Sequence, residues 1–200
     1  MKTNNAKTVA LIITFTGLAV ALNPAISGIT FPFPLLPTLY FQIWEIPLIT
    51  AFMLFGSKVA LSADFLNAIF LIAFFPGLSQ PYYWISAFAT AGMMAGIYLA
   101  FKLQQPPVPK GKPLTKTKFL SLALGLSMLF RVVIMAALMF SVLYFDPLNV
   151  YPPMPALWIS VTILPPQAIF NIIMPIIIVP SSYLVAKTIN RNLTINSKLF

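Results

Sequence analysis

Cysteine and histidine are both absent from the 200-residue chain. Without cysteine there is no disulfide framework, thiol nucleophile or thiolate metal site. Without histidine the commonest general base and the commonest metal ligand are missing, and a Ser-His-Asp triad cannot be assembled. Carboxylates are scarce: Glu45, Asp64 and Asp146 are the full set. Glu45 and Asp146 could meet on one face, but nothing positions them as an acid/base pair. A GxxxxGK[ST] phosphate loop is lacking too, since Gly111-Lys-Pro is too short and puts proline where the helix should begin. ATP hydrolysis by this chain is therefore excluded. No catalytic residue, metal or cofactor is expected.

Charge of either sign is rare, and apolar sequence fills the space. Only 8% of residues are charged, 60% are hydrophobic, and the mean hydropathy is +0.93. A soluble domain of this length needs far more charge to cover its surface. A helix needs about 20 apolar residues to cross a bilayer, so the chain has room for about six spans. Six stretches are legible: Thr8 to Ala25, Ile46 to Phe55 with the residues before it, Val59 to Phe75, Pro81 to Phe101, Lys118 to Phe145, and Leu164 to Ala186. Runs of this length are unlike the short alternating segments of outer-membrane barrels. The expected fold is an all-α membrane protein, one compact six-helix bundle over residues 1–200. Its outer loops fall near 26–45, 76–81 and 146–163, with a central cytoplasmic loop near 102–117. Pro24, Pro175 and Pro180 are expected inside spans, where proline kinks a helix.

Every Lys and Arg except Arg131 falls in one of four places: the N-terminal arm, the turn at Lys58, the central loop, and the C-terminal tail. Six spans place all four on one side, leaving the opposite loops without a basic residue. By the positive-inside rule that side, with both termini, is cytoplasmic. Topology and anionic headgroups thus account for the net charge of +9, and no nucleic-acid partner is expected. The first stretch has features of a secretory signal, Lys2 and Lys7 before an apolar run and Ala19-Val-Ala21. It is read as a retained span.

Aromatic residues crowd the uncharged loops: Phe31, Phe33, Tyr40, Phe41 and Trp44 in the first, Tyr82, Tyr83 and Trp84 in the second, Tyr144, Phe145, Tyr151 and Trp158 in the third. One reading is an interfacial belt. The first loop, stiffened by Pro24, Pro32, Pro34 and Pro37, also suits a lid over an apolar cavity. Arg131 sits near the middle of the fifth stretch, where insertion scales put its cost at about 2.5–3.5 kcal/mol. Asp64 is its expected partner, and a structural ion pair and contact with an anionic ligand both remain open. Asn67, one turn after Asp64, and Asn171 are further buried polar candidates, either as interhelical glue or as ligand contacts. Rows of small residues (Ala6 and Ala10; Gly92, Gly96 and Ala100; Ser121 and Gly125) permit close helix approach or docking of another membrane subunit.

The segment Pro32-Phe-Pro-Leu-Leu-Pro-Thr-Leu-Tyr-Phe-Gln-Ile-Trp-Glu-Ile-Pro-Leu-Ile49, followed by Ala51-Phe-Met-Leu-Phe-Gly56, resembles the long first outer loop and short second helix of the substrate-binding S component of an energy-coupling factor (ECF) transporter. Ala6-Lys-Thr-Val-Ala10 resembles the AxxxA docking motif of that family, and Phe170-Asn171-Ile-Ile the Phe-Asn pattern of its riboflavin-type members. Where those members often carry lysine three residues after the asparagine, this chain has Met174, so the vitamin is not fixed. The resemblance implies high-affinity vitamin capture at an outer cavity closed by the first loop, with Phe33, Tyr40, Trp44, Glu45, Asn67, Arg131 and Asn171 as ligand-binding candidates. It also implies docking through Ala6 and Ala10 to a transmembrane coupling subunit that works with two ATPase subunits. Two other classes stay open: a structural or assembly membrane protein without a small-molecule ligand, and a self-sufficient secondary carrier. The latter usually needs more intramembrane ionisable groups or inverted repeats.

Overall fold

The computed structural model describes residues 5–75, 80–104, 116–145 and 155–193. The expected loops around 76–79, 105–115 and 146–154, and with them Asp146 and Tyr151, lie outside the described residues. Within them the chain is almost wholly helical, and five helices are long and apolar enough to cross a bilayer. The first is α1 (Asn5–Leu22). It stops at Asn23, whose side chain accepts a hydrogen bond from the Ala25 amide and caps the single turn α2 (Pro24–Ser27). Pro24 therefore opens a new turn rather than lying inside a span, the position where its missing N–H costs nothing.

A small antiparallel hairpin follows, β1 (Pro32–Phe33) and β2 (Leu36–Tyr40), with a register irregularity between Pro32 and Phe33. Its outer rung is closed by the Phe41 amide donating to the Phe31 carbonyl. The hairpin leads into α3 (Glu45–Phe55), an apolar helix of 11 residues. At 1.5 Å per residue α3 is about 16 Å long, half a hydrocarbon core. The second stretch is thus not a full span. It is nonetheless the centre of the bundle, with nine of its 11 residues buried.

Gly56 joins α3 directly to α4 (Ser57–Phe74). Its φ of 88° and ψ of −179° form a conformation essentially reserved for glycine, which lets two helices reverse direction over one residue. Then come α5 (Gln80–Gln104) and α6 (Lys116–Phe145), whose mutual packing is the most extensive among the described residues. A Cβ on Gly96 would lie 2.5 Å from the Ser127 amide nitrogen. That close approach lets the Ser127 hydroxyl donate to the Met93 carbonyl at 3.1 Å.

The last helix begins earlier than the expected boundary at 164. A short turn α7 (Ala156–Trp158) runs through a π-helical segment (Ile159–Ile163) into α8 (Leu164–Leu193). Pro165 and Pro166 cannot donate backbone hydrogen bonds. The Leu164 amide instead reaches back to the Ile159 carbonyl, an i→i−5 bond. Pro175 and Pro180 do lie inside α8. Around the bundle, α1 packs on α4, α4 on α5, α5 on α6, and α6 on α8, with α3 between α4 and α8.

Candidate functional site

The half-length of α3 places its charged N-terminus in the middle of the bundle. Glu45, in its first turn, is fully buried, and so is Arg131 near the midpoint of α6. The two form a bidentate pair: Nη1 donates to Oε2 at 2.8 Å, and Nη2 to Oε1 at 2.9 Å. Nη2 also donates to the Gln42 side-chain oxygen at 2.6 Å, and Nε to Asn171 Oδ1 at 3.0 Å. Every guanidinium nitrogen therefore has an acceptor. Asn171 is aligned in turn by donating its Nδ2 to the Gln167 carbonyl at 2.8 Å. Thr90 of α5 places its hydroxyl 3.1 Å from Glu45 Oε1 and 3.0 Å from the Ser86 carbonyl. The loop before α3, with α3, α5, α6 and α8, thus meets in one buried network. Such an arrangement is held only when nearly every member is satisfied.

The expected Arg131–Asp64 pairing is corrected: the partner is Glu45. Asp64 in α4 is fully buried, and neither carboxylate oxygen has a hydrogen-bond partner. Asn67, buried one turn further along the same face, has an unpartnered Oδ1. Gln167 is also buried, with both atoms of its amide unpartnered.

Above this layer the hairpin folds down onto α8. Phe33 is buried, and its ring stands 5.3 Å from that of Phe170 and 6.1 Å from that of Phe41; Phe41 lies 6.0 Å from Phe170. These separations are those of favourable aromatic pairs. Phe170 adjoins Asn171 in sequence, so the aromatic triangle and the polar network share one stretch of α8. Pro175, one turn on, has no N–H and releases the Asn171 carbonyl from the helix ladder.

Of the sequence-derived ligand candidates, Glu45, Arg131 and Asn171 are brought into direct contact, and Phe33 lies against the neighbouring Phe170. Trp44 is buried at the head of α3. Asn67 is buried on α4 without a bond to that network. Tyr40 stands apart, 41% exposed on β2. Ala6 and Ala10 lie exposed on α1, as does most of that helix. Gln42, Thr90 and Gln167 were missed. Gln42 lies three residues before Glu45, and Gln167 is one turn from Asn171, so spacing was a signal for both. Thr90 carried none.

No family model and no curated protein matches the chain. Among solved structures it is similar to the S component of a bacterial ECF transporter, with a TM-score of 0.71 and 19% sequence identity. The match covers 95% of this chain and 99% of that one. The two share a fold along nearly their full length.

Proposed function

We propose that this chain is the substrate-binding subunit of an ECF-type importer, one that captures a vitamin from outside the cell and relies on partners for energy. The observation carrying the reading is a fold shared end to end with an S component, centred on a buried polar layer beneath an aromatic hairpin. In this reading the hairpin is the lid, and Phe33, Trp44, Glu45, Asn67, Arg131 and Asn171 line or support the ligand site, with Tyr40 at its rim. Arg131 acts chiefly as a scaffold, because Glu45, Gln42 and Asn171 occupy its donors. Riboflavin is one vitamin within this reading. Ala6 and Ala10 offer the close-approach surface for a transmembrane coupling subunit, and two ATPase subunits supply the work.

The bundle counts six membrane helices when α3 and its hairpin are taken as one element, and both termini are cytoplasmic. The absence of native cysteine makes this directly testable. Single cysteines at Tyr40 and at Lys102 should label with an impermeant maleimide from the outside only and the inside only, respectively. Labelling of both from one side would overturn the topology.

Capture is tested by purifying the protein in mild detergent, denaturing it and identifying released small molecules by mass spectrometry. A stoichiometric vitamin is the expected result. Asn171→Ala should then weaken binding about tenfold, the scale of one lost buried hydrogen bond, while thermal unfolding stays cooperative. An empty protein that gains no thermal stability from a vitamin panel would favour a structural role.

A further inference from the structure

The buried ionisable groups in the middle of the bundle do not pair off. Among the described residues the buried ionisable side chains are Glu45, Asp64 and Arg131: two carboxylates and one guanidinium. Arg131 is committed to Glu45, Gln42 and Asn171. Asp64 receives no hydrogen bond at either oxygen, although it is fully enclosed. A carboxylate held away from water without a partner is costly. The surplus extends to neutral groups, since Asn67 Oδ1, on the same face of α4, is also without a donor. Asn67 is as far from Gly56 in sequence as Glu45 is, and α3 packs directly against α4. Asn67 therefore lies at the depth of the Arg131 network, and Asp64 about one turn nearer Gly56. Gln167 adds a second unused acceptor, together with an unused donor.

Resting on the transport reading above, we infer that the captured ligand is an organic cation rich in N–H donors, and that Asp64, with Asn67 beside it, receives its charged end. An anionic ligand would meet an arginine already neutralised and a carboxylate that repels it. A cation completes the charge balance and supplies the missing donors through charge-assisted hydrogen bonds.

The test is equilibrium binding to the full-length protein in detergent, using three vitamins of different charge: cationic thiamine, neutral riboflavin and anionic biotin. The inference expects the cationic probe to bind tightest, and Asp64→Asn, nearly identical in shape, to weaken it at least about tenfold. Asp64→Glu, which keeps the charge, should retain the order of preference. The wild-type ranking tests the inference even if a variant misfolds. Tight binding of riboflavin or biotin, indifferent to Asp64→Asn, would overturn the inference and leave the transport reading standing. Binding of a neutral probe that requires sodium and is lost in Asp64→Asn would also overturn it, giving the carboxylate to a metal ion. If nothing binds and nothing co-purifies, the transport reading fails and takes the inference with it.

Discussion

Arg131 shows how a membrane core tolerates a charge. Its burial costs about 2.5–3.5 kcal/mol on insertion scales, and a bidentate carboxylate with two amide acceptors offsets that cost. Removing one partner of such a pair leaves the other charge stranded, at about 3–5 kcal/mol. Arg131→Met and Glu45→Gln should each lower thermal stability in detergent. The double variant should lose less than the sum of the two, with a coupling of about 0.5–3 kcal/mol. Strict additivity would mean that the pair contributes no mutual stabilisation. Arg131 was legible as a buried residue needing a partner, because a lone arginine in an apolar run has few alternatives. The identity of the partner was not legible. Asp64 sits at the middle of its own apolar stretch, the natural place to look, whereas Glu45 precedes its stretch and reads as a loop residue.

The explanation for that misreading lies with the elements. The apolar runs gave α1, α4, α5 and α6 to within three residues at each end, since bilayer thickness sets their length, whereas α8 runs seven residues past its expected end. The run Ile46 to Phe55 placed α3 to within one residue but was counted as a span, because an 11-residue helix that ends halfway across is indistinguishable in composition from the inner half of a full span. Its shortness carries Glu45 to the level of Arg131. Likewise the π-helical start of α8 was hidden, because Pro165-Pro166 reads as a boundary and in fact only shifts the hydrogen-bond ladder. The geometry of Gly56 shows what the turn before Lys58 demands. Gly56→Ala would force a side chain into a backbone conformation costing about 1–3 kcal/mol, with nothing near the new Cβ to add a clash. The expected result is a lowered unfolding temperature and reduced yield. Unchanged stability would mean that the α3–α4 turn relaxes into another conformation.

At the scale of the whole molecule, the surface of α1 stands out. Only Phe15 and Ala19 of that helix are buried, while Ala6, Val9, Ala10 and Ile13 face outward. Small side chains on an exposed helical face invite another helix to approach closely. Under the proposed transport reading, Ala6→Trp should leave ligand affinity unchanged in the isolated protein and abolish uptake in cells that contain the energising module. Normal uptake by Ala6→Trp would move the docking surface elsewhere.

The single-residue turn at Gly56 also bears on how the chain enters the membrane. Insertion machinery selects segments by apolar length, and α3 alone falls well short of a spanning helix. Because only Gly56 separates it from α4, the two follow one another directly from Glu45 to Phe74, with Lys58 at the turn. The pair is thus suited to enter as a helical hairpin, with α3 carried in by its longer neighbour. On that route Glu45 enters ahead of Arg131, which follows it by 86 residues, so the acidic side chain is without its partner until α6 joins the bundle.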